Sequence, residues 1–468
     1  MGIFLFKLRR ISPDPVIDQS LRHSVKDGLA YSFMIGAGES YFSVFALFFK
    51  ASNAQIGVLA SLPALLGAFM QLFSAWLGRH GRSRRTLILF GVSMQALMML
   101  PVLVLPLLFP KQAIPILITC VIFYYASVNL ASPQWWSLMG DIVPEHRRGR
   151  FFAMRTRLCS LMAFIAFVAG GLVLHGFDAL NKTAWGFVIL FTLAMLARFV
   201  SIYHLRKMYA PPGHVAALES PFQKNIFRRI RGSAMARFSI FIASMQFSVA
   251  VASPFFIVYM LRDLQLSYLQ YTSITATMIL SQYLTLPRWG RVCDIFGNRV
   301  VLLFCGSIIP LMPLFWLVST NLGYLLVVQI IGGVVWAGFA LSSGNFIYEL
   351  VPATKRVTYL ALHNVLTGIA VFGGALLGGL LSEHLPKSLS LGSWQLQWFS
   401  VFYGVFILST LLRIGVAIYF LPRVHEIRQV KTLSWQSLLR QVLRLRSRRR
   451  LAVTLSRMRK NLTLRSRV

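Results

Sequence analysis

The sequence predicts an all-α membrane protein with twelve transmembrane helices, built as two repeats of six helices. Three observations predict this fold. The chain has 468 residues, of which 56% are hydrophobic and only 13% are charged, a composition too apolar for a soluble protein of this length. Twelve apolar windows are long enough to cross a bilayer, and the sequence that follows the fourth window recurs after the tenth.

Each window has about 20 residues or more, the length at which a helix crosses about 30 Å of hydrocarbon. The first six windows are residues 28–50, 54–77, 86–109, 113–140, 151–176 and 183–205. The second six are residues 237–261, 267–288, 300–320, 323–351, 357–381 and 398–421. The predicted organisation is a leader at 1–27, a six-helix bundle at 28–205, a linker at 206–236, a second bundle at 237–421 and a basic tail at 422–468.

The basic residues indicate how the chain is oriented. Forty of the 47 Lys and Arg residues lie on the side of the leader, the linker and the tail, and five lie in the loops of the opposite side. Because cytoplasmic loops are enriched in Lys and Arg, both termini are expected in the cytoplasm, with the protein in the plasma or inner membrane. The net charge of +34 does not indicate nucleic-acid binding, because the basic residues cluster between apolar runs.

The tail has the pattern of a basic amphipathic helix. Trp435, Leu438, Leu439, Val442 and Leu445 share one helical face, and Arg440, Arg444 and Arg448 share the other. Such a helix is expected to lie on the anionic inner leaflet, so the lipid bilayer is a predicted partner of the tail.

The turn sequences repeat within the chain. Residues 141–154 align with residues 349–362 at a constant offset of 208, which pairs Asp141 with Glu349 and Arg148 with Arg356. The basic turn after the second window similarly resembles the turn after the eighth. One large class of transporters is built from a duplicated six-helix unit, with the two repeats in parallel orientation.

These turns resemble the signature of the major facilitator superfamily, a Gly, three residues, an Asp, two residues and a Gly, followed by basic residues. Gly290, Asp294, Gly297 and Arg299 match it after the eighth window. The copy after the second window has Ser74 and Gly78 at the first Gly and the Asp, and retains Gly81, Arg82, Arg84 and Arg85. The resemblance implies a cytoplasmic latch formed by these residues together with Asp141, Arg148, Glu349 and Arg356, and Asp294 is expected to cap or complement a helix N-terminus.

The resemblance does not identify a substrate. Drug exporters of this superfamily usually carry an Arg in the fourth helix and a Gly-Pro pair in the fifth. Here the fourth window has no Arg, and residues 162–176 of the fifth have no Pro. The substrate class therefore stays open.

Glu39 is the acidic residue placed near the middle of the membrane. On a continuous helix Ser32, Gly36, Glu39 and Ser43 lie within about 60° of one another, which predicts a polar stripe facing a cavity. A charged side chain at this depth costs about 2.5–3.5 kcal/mol on insertion scales, and intramembrane acids are functional by default. Glu39 is thus predicted to couple protons or to balance a cationic substrate, and the structural alternative is a protonated Glu bonded to a Tyr or Ser hydroxyl.

Other polar residues could line a central cavity. The candidates are Asn129, Gln134, Gln246, Gln282, Asn345 and Asn364, and each could equally be a helix-packing hydrogen bond. Arg198 and Arg413 are expected to reach the membrane surface from within their helices.

The sequence predicts a secondary active transporter of a small solute that works by alternating access, is proton-coupled through Glu39 and is a monomer. The alternatives are an uncoupled facilitator, or a non-transporting sensor, assembly factor or lipid-handling protein of the same fold. Metal-ligand spacings, nucleotide loops and nucleophile motifs were not found in the sequence, so we expect neither an enzyme nor a cofactor.

Overall fold

A computed structural model of the protein describes residues 14–79, 83–209, 233–351, 356–385, 388–391, 394–397 and 399–426. The N-terminal half contains α1 Pro15–Ala37, α2 Phe42–Phe48, α3 Asn53–Arg79, α4 Arg84–Leu108, α5 Ala113–Ile142, α6 Glu145–Ala179 and α7 Thr183–Arg206. The C-terminal half contains α8 Ala234–Ala250, α9 Phe255–Val258, α10 Tyr268–Phe296, α11 Asn298–Ile308, α12 Met312–Val318, α13 Leu322–Leu350, α14 Arg356–His384 and α15 Phe402–Phe420.

Short segments complete these elements. Helical turns lie at Glu39–Tyr41, Pro110–Gln112, Tyr259–Asp263, Ile309–Leu311 and Leu421–Arg423. Strands β1 Ser388–Leu391 and β2 Trp394–Gln397 form an antiparallel hairpin between α14 and α15, which was not predicted from the sequence. The predicted amphipathic helix of the tail lies outside the described residues, as do Gly81 and Arg82 of the predicted latch.

Ten spans in the described part of the chain are long and apolar enough to cross a membrane. They correspond to ten of the twelve windows, and the remaining two are α1 with α2 and the more polar α10. The predicted helical fold class is confirmed, and the structure is consistent with twelve spans. We count α1 with α2 as the first span, α8 with α9 as the seventh and α11 with α12 as the ninth.

The two halves pack in the same way. In the first half α1 packs against α6 and α7, and α5 packs against α3 and α4. In the second half α8 packs against α14 and α15, and α13 packs against α10 and α11. Each contact joins the corresponding spans, so the repeat seen in the sequence is also a repeat of helix packing.

The repeat extends to side chains at the turns. Arg84 donates to Asp141 at 2.6 Å and to Ser137 at 3.1 Å. In the second half Asn298 donates to Glu349 at 2.6 Å and accepts from Asn345 at 3.0 Å. Asp141 and Ser137 lie 208 residues before Glu349 and Asn345, so one offset relates both partners.

The first helix begins earlier than its apolar window. The window starts at residue 28, but α1 begins at Pro15, where the Asp14 side chain accepts hydrogen bonds from the backbone of Val16 and Ile17. An Asp at the N-cap followed by Pro is a strong start signal. The hydropathy of this segment is low because it contains Asp18 and Asp27, so the apolar window does not include it. The structure buries both acids within the bundle.

The halves share one hydrophobic core near one membrane face only. We call the face at which the described chain begins and ends the terminal face. Near the opposite face a single cluster joins Phe45 and Phe187 of the first half to Phe255 and Phe402 of the second. Near the terminal face each half has its own cluster, one around Met139 and one around Trp289. The described halves are therefore joined at the opposite face and separate toward the terminal face.

Backbone and side-chain contacts also join the halves near the opposite face. Asn53 at the start of α3 donates to the Ser382 carbonyl of α14 at 3.4 Å, and the Ala54 N–H donates to Glu383 at 3.0 Å. Gly171 of α6 lies against Thr272 of α10, so closely that a Cβ at Gly171 would lie 2.1 Å from the Thr272 hydroxyl oxygen. This face is closed by direct packing of α3 on α14 and of α6 on α10.

Candidate functional site

Glu39 lies at a break in the first span. Helix α1 ends at Ala37, and a 3-10 turn from Glu39 to Tyr41 leads into α2. Gly38 allows the close approach at this break, since a Cβ there would lie 2.8 Å from the Cβ of Ala194 in α7. The break changes the direction of the chain beside the carboxylate.

The carboxylate of Glu39 accepts two hydrogen bonds from neighbouring tyrosines of α5. Tyr124 donates to Oε2 and Tyr125 donates to Oε1, each at 2.9 Å. Among the described residues no Lys, Arg or His lies within ion-pair distance of Glu39. Glu39 is thus held by neutral hydroxyl groups, the type of partner named by the structural alternative. Sequence reasoning did not identify these two tyrosines, although they lie in the middle of the fourth window.

Glu39 also faces a cavity. A space of about 230 Å³ is lined by Glu39, Ser43 and Tyr125, with apolar side chains of α2, α3 and α5 around them. Ser43 therefore lies in the cavity with Glu39. Ser32 does not line this cavity and is buried beside Cys159 of α6. The predicted stripe assumed a continuous helix, and the break at Gly38 separates Ser32 from the other two residues.

A second polar cluster lies inside the same half. Asp27 of α1 pairs with Arg155 of α6 at 3.3 Å and accepts from the Ser201 hydroxyl of α7 at 2.7 Å. Arg198 donates to Ser201 at 2.8 Å. A cavity of about 190 Å³ adjoins this cluster and is also lined by Tyr31.

Arg198 and Arg413 do not reach the membrane surface as expected. Their side chains are 3% and 2% exposed. Arg198 is held inside the first half by Ser201, and Arg413 by the carbonyls of Ile309 and Val249, each at 3.4 Å. Partners within each bundle retain these guanidinium groups, which hydropathy alone could not indicate.

The six predicted cavity residues lie elsewhere. Asn129 accepts from Gln71 at 2.6 Å, Gln134 donates to the Ser74 carbonyl at 2.9 Å, and Asn345 donates to Asn298. These three join neighbouring helices. Gln246 and Gln282 are half-buried, and Asn364 is exposed. None of the six lines either of the two cavities described above, so a role in a larger space between the halves stays a prediction.

The predicted latch residues lie at the helix ends of the terminal face. Gly297 adopts φ 86° and ψ 162° between α10 and α11, a conformation that essentially only Gly adopts. Gly290 and the exposed Asp294 lie within α10, and the N-terminus of α11 has no side-chain cap from Asp294. Instead, the carboxylate of Glu426 lies at the N-terminus of α11 and accepts a hydrogen bond from the backbone N–H of Arg299 at 2.9 Å.

The remaining latch residues bind within their own half. Arg299 donates from its side chain to the Val424 carbonyl at 2.7 Å, and Arg148 donates to the Gly140 carbonyl at 2.8 Å. Arg85 donates to the carbonyl of Arg206. The side chain of Arg356 lies outside the described residues. The described contacts tie helix ends within a half, and a latch between the halves stays a prediction.

Comparisons with known proteins find a family match in the second half of the chain. The family model of the Major Facilitator Superfamily matches residues 237–458. The efflux pump dotC of Dothistroma septosporum is 28% identical over 115 residues, which are 25% of this chain and 20% of that protein. The chain thus spans about a fifth of the length of this relative.

The fold is similar to solved transporters over nearly the whole chain. The D-xylose-proton symporter has a TM-score of 0.67 at 14% identity, covering 89% of this chain and 100% of the symporter. The nucleoside transporter NupG has a TM-score of 0.64 at 13% identity, covering 87% and 99%. These named proteins are transporters rather than enzymes. The second half of the chain thus matches the Major Facilitator Superfamily by sequence, and the described residues of both halves have the fold of solved transporters. The chain is an integral, multi-pass membrane protein.

Proposed function

We propose that the protein is a secondary transporter that moves a small solute by alternating access and couples this movement to protons through Glu39. The observation that carries the proposal is the position of the Glu39 carboxylate, which lies at a helix break inside the membrane, faces a cavity and is held by two tyrosine hydroxyls. A carboxylate at this depth is costly to retain unless it has a role.

The tyrosine partners suit a group that gains and loses a proton. A hydroxyl group both donates and accepts. Tyr124 and Tyr125 can donate to the ionised carboxylate, and either can accept from the protonated acid after its hydroxyl rotates. A Lys or Arg partner would instead favour the ionised form alone. The site can therefore satisfy both protonation states without moving a helix.

The packing of the halves supports alternating access. The halves share a core near one face and have separate cores near the other. This arrangement is the one expected of a transporter that is open toward the terminal face. We propose that this face is cytoplasmic, since it carries most of the basic residues. In this view the bundles 28–205 and 237–421 are the two bodies that rock.

Further features of the proposal come from the sequence. We propose a monomer in the plasma or inner membrane, with both termini in the cytoplasm and the tail on anionic lipid. In another conformation, the six cavity candidates would face the solute: Asn129, Gln134, Gln246, Gln282, Asn345 and Asn364. The nearest alternative is an uncoupled facilitator, for which Glu39 has only a structural role.

Glu39→Gln tests the coupling. Purified protein in liposomes would be supplied with D-xylose, a nucleoside and a library of organic acids and amines, with and without an imposed pH gradient. We expect the wild type to accumulate one class of solute when the gradient is imposed. The variant should lose this accumulation but keep solute exchange at equal pH, because exchange does not require a proton to be released.

Ser43→Ala is the matched control in the same cavity and should keep accumulation driven by the gradient. If Glu39→Gln accumulates solute as the wild type does, the facilitator alternative is favoured. If folded wild-type protein transports nothing in the library, the non-transporting alternative gains support.

A further inference from the structure

The first half contains a cavity with more positive than negative charge. Arg155 and Arg198 both line the space of about 190 Å³, and Asp27 is the acidic residue that lines it. Both oxygens of Asp27 are engaged, one by Arg155 and one by Ser201. Glu39 also interacts electrostatically with Arg198, but it lines the other cavity. Within the cavity that Asp27 lines, one carboxylate faces two guanidinium groups, and a bound anion would balance the second of them.

Of the two guanidinium groups, that of Arg198 is the more deeply buried, and it has a donor without a partner among the described residues. Arg198 is 3% exposed, and its Nε atom is buried without a hydrogen-bond partner in the part of the chain that the structure describes. Its Nη1 atom donates to Ser201. A buried N–H group that lacks a partner is destabilising, and a bound acceptor would satisfy it.

Aromatic rings hold both arginines in place. The guanidinium of Arg155 lies 4.4 Å from the ring centroid of Trp135, and that of Arg198 lies 4.6 Å from the ring of Tyr31. Stacked guanidinium groups have fixed donor directions and match the two oxygens of a carboxylate. Tyr31 and Trp135 also provide apolar surface for a short carbon chain.

The second half shows that the fold does not require these charges. His363 lies 208 residues after Arg155 and bonds to Ser239 at 3.1 Å, a neutral pair in place of the ion pair with Asp27. Arg413 is the arginine within the last span of the second half, as Arg198 is within the last span of the first. It donates to backbone carbonyls and lines neither cavity described here. At these two positions the described part of the second half has neither the ion pair nor the stacked pair of guanidinium groups.

We propose that this cavity binds a small monocarboxylate anion between Arg155 and Arg198. The cavity is much larger than one water molecule requires. Arg155 lies toward the open side, with its side chain 16% exposed, and exposed Trp136 lies at the rim. The anion enters past Arg155 and places its carboxylate near Arg198. The site does not depend on the proposed transport, because it needs neither a proton gradient nor a second conformation.

Acetate is the probe for this site. The thermal stability of the detergent-solubilised protein would be measured in sodium acetate and in sodium chloride at equal ionic strength. We expect saturable stabilisation by acetate in excess of that by chloride, and at 100 times the dissociation constant the folding equilibrium shifts about 100-fold. No response to acetate, or an equal response to chloride, overturns the proposal.

Three variants locate the response. Arg198→Gln removes the deeper guanidinium and should abolish the response to acetate. Arg155→Lys keeps the charge beside Asp27 but loses the planar fork, so the affinity should fall about tenfold. Arg413→Gln is the matched control in the last span of the second half and should keep the response despite a lower stability.

Acetate stabilisation that persists in Arg198→Gln or is unchanged in Arg155→Lys overturns the assignment. If Arg198→Gln does not fold, Arg155→Lys against Arg413→Gln decides the question. Loss of gradient-driven transport in Glu39→Gln would leave this result unaffected, so the two proposals fail separately.

Discussion

At the residue scale, the first half holds two carboxylates with different partners. Asp27 lies between Arg155 and Ser201, so its charge is balanced. Among the described residues, the carboxylate of Glu39 accepts hydrogen bonds from the hydroxyls of Tyr124 and Tyr125. An adjacent guanidinium group favours the ionised form of a carboxylate, whereas hydroxyl partners can serve both protonation states. This difference makes Glu39 the better candidate for proton coupling.

Two glycines of the predicted latch should respond oppositely to alanine. Gly297 adopts φ 86° and ψ 162°, so Gly297→Ala should cost about 1–3 kcal/mol of backbone strain. Gly290 is helical and would place a Cβ 3.9 Å from Leu341, so Gly290→Ala should be neutral or stabilise by about 0.5–1 kcal/mol. Thermal unfolding of the two variants checks this, and equal stabilities would contradict the assigned turn geometry.

At the element scale, the N-termini of α3 and α10 have the same cap but differ in their contacts with other helices. Ser52 with Gln55 and Ser267 with Gln270 form the same reciprocal cap at the starts of α3 and α10. The start of α3 additionally donates from Ala54 to Glu383 of α14. The N-terminus of a helix attracts a carboxylate, so this contact ties the two halves together at the opposite face.

Removing that carboxylate should loosen the closed face. Glu383→Ala loses a contact of about 1 kcal/mol, which corresponds to about a fivefold shift in a two-state equilibrium. Spin labels at Lys182→Cys and Thr320→Cys, with Cys159 replaced by Ala, would report the distance between the halves by pulsed electron paramagnetic resonance. We expect a larger fraction of long distances.

Glu383→Gln is the control, because its amide oxygen can still accept from Ala54. An unchanged distance distribution in Glu383→Ala would show that apolar packing alone holds this face closed.

At the scale of the whole molecule, the distribution of basic residues and the shape of the bundle support the same orientation. The face rich in Lys and Arg is also the face toward which the hydrophobic cores separate. The protein is thus expected to be open to the cytoplasm in this conformation.

Reporter fusions test the orientation. Green fluorescent protein at the C-terminus should fluoresce in a bacterial host if the terminus is cytoplasmic, as proposed. Alkaline phosphatase inserted after Asn181, in the exposed turn between α6 and α7, should be active, because the proposed topology places that turn in the periplasm. The reverse pattern would contradict the proposed topology.

The sequence by itself determined the helical membrane fold, the repeat and the special position of Glu39. These follow from properties read along the chain: the length of apolar runs, the offset of 208 and an acid within an apolar window. Tertiary structure decided which residues meet. The break at Gly38 separated Ser32 from Glu39. Tyr124, Tyr125 and Asp27 acquired their partners from other helices. Hydropathy gives the depth of a residue in the membrane, but the rotation and offset of one helix against another depend on side-chain packing, which a single chain without contacts does not specify.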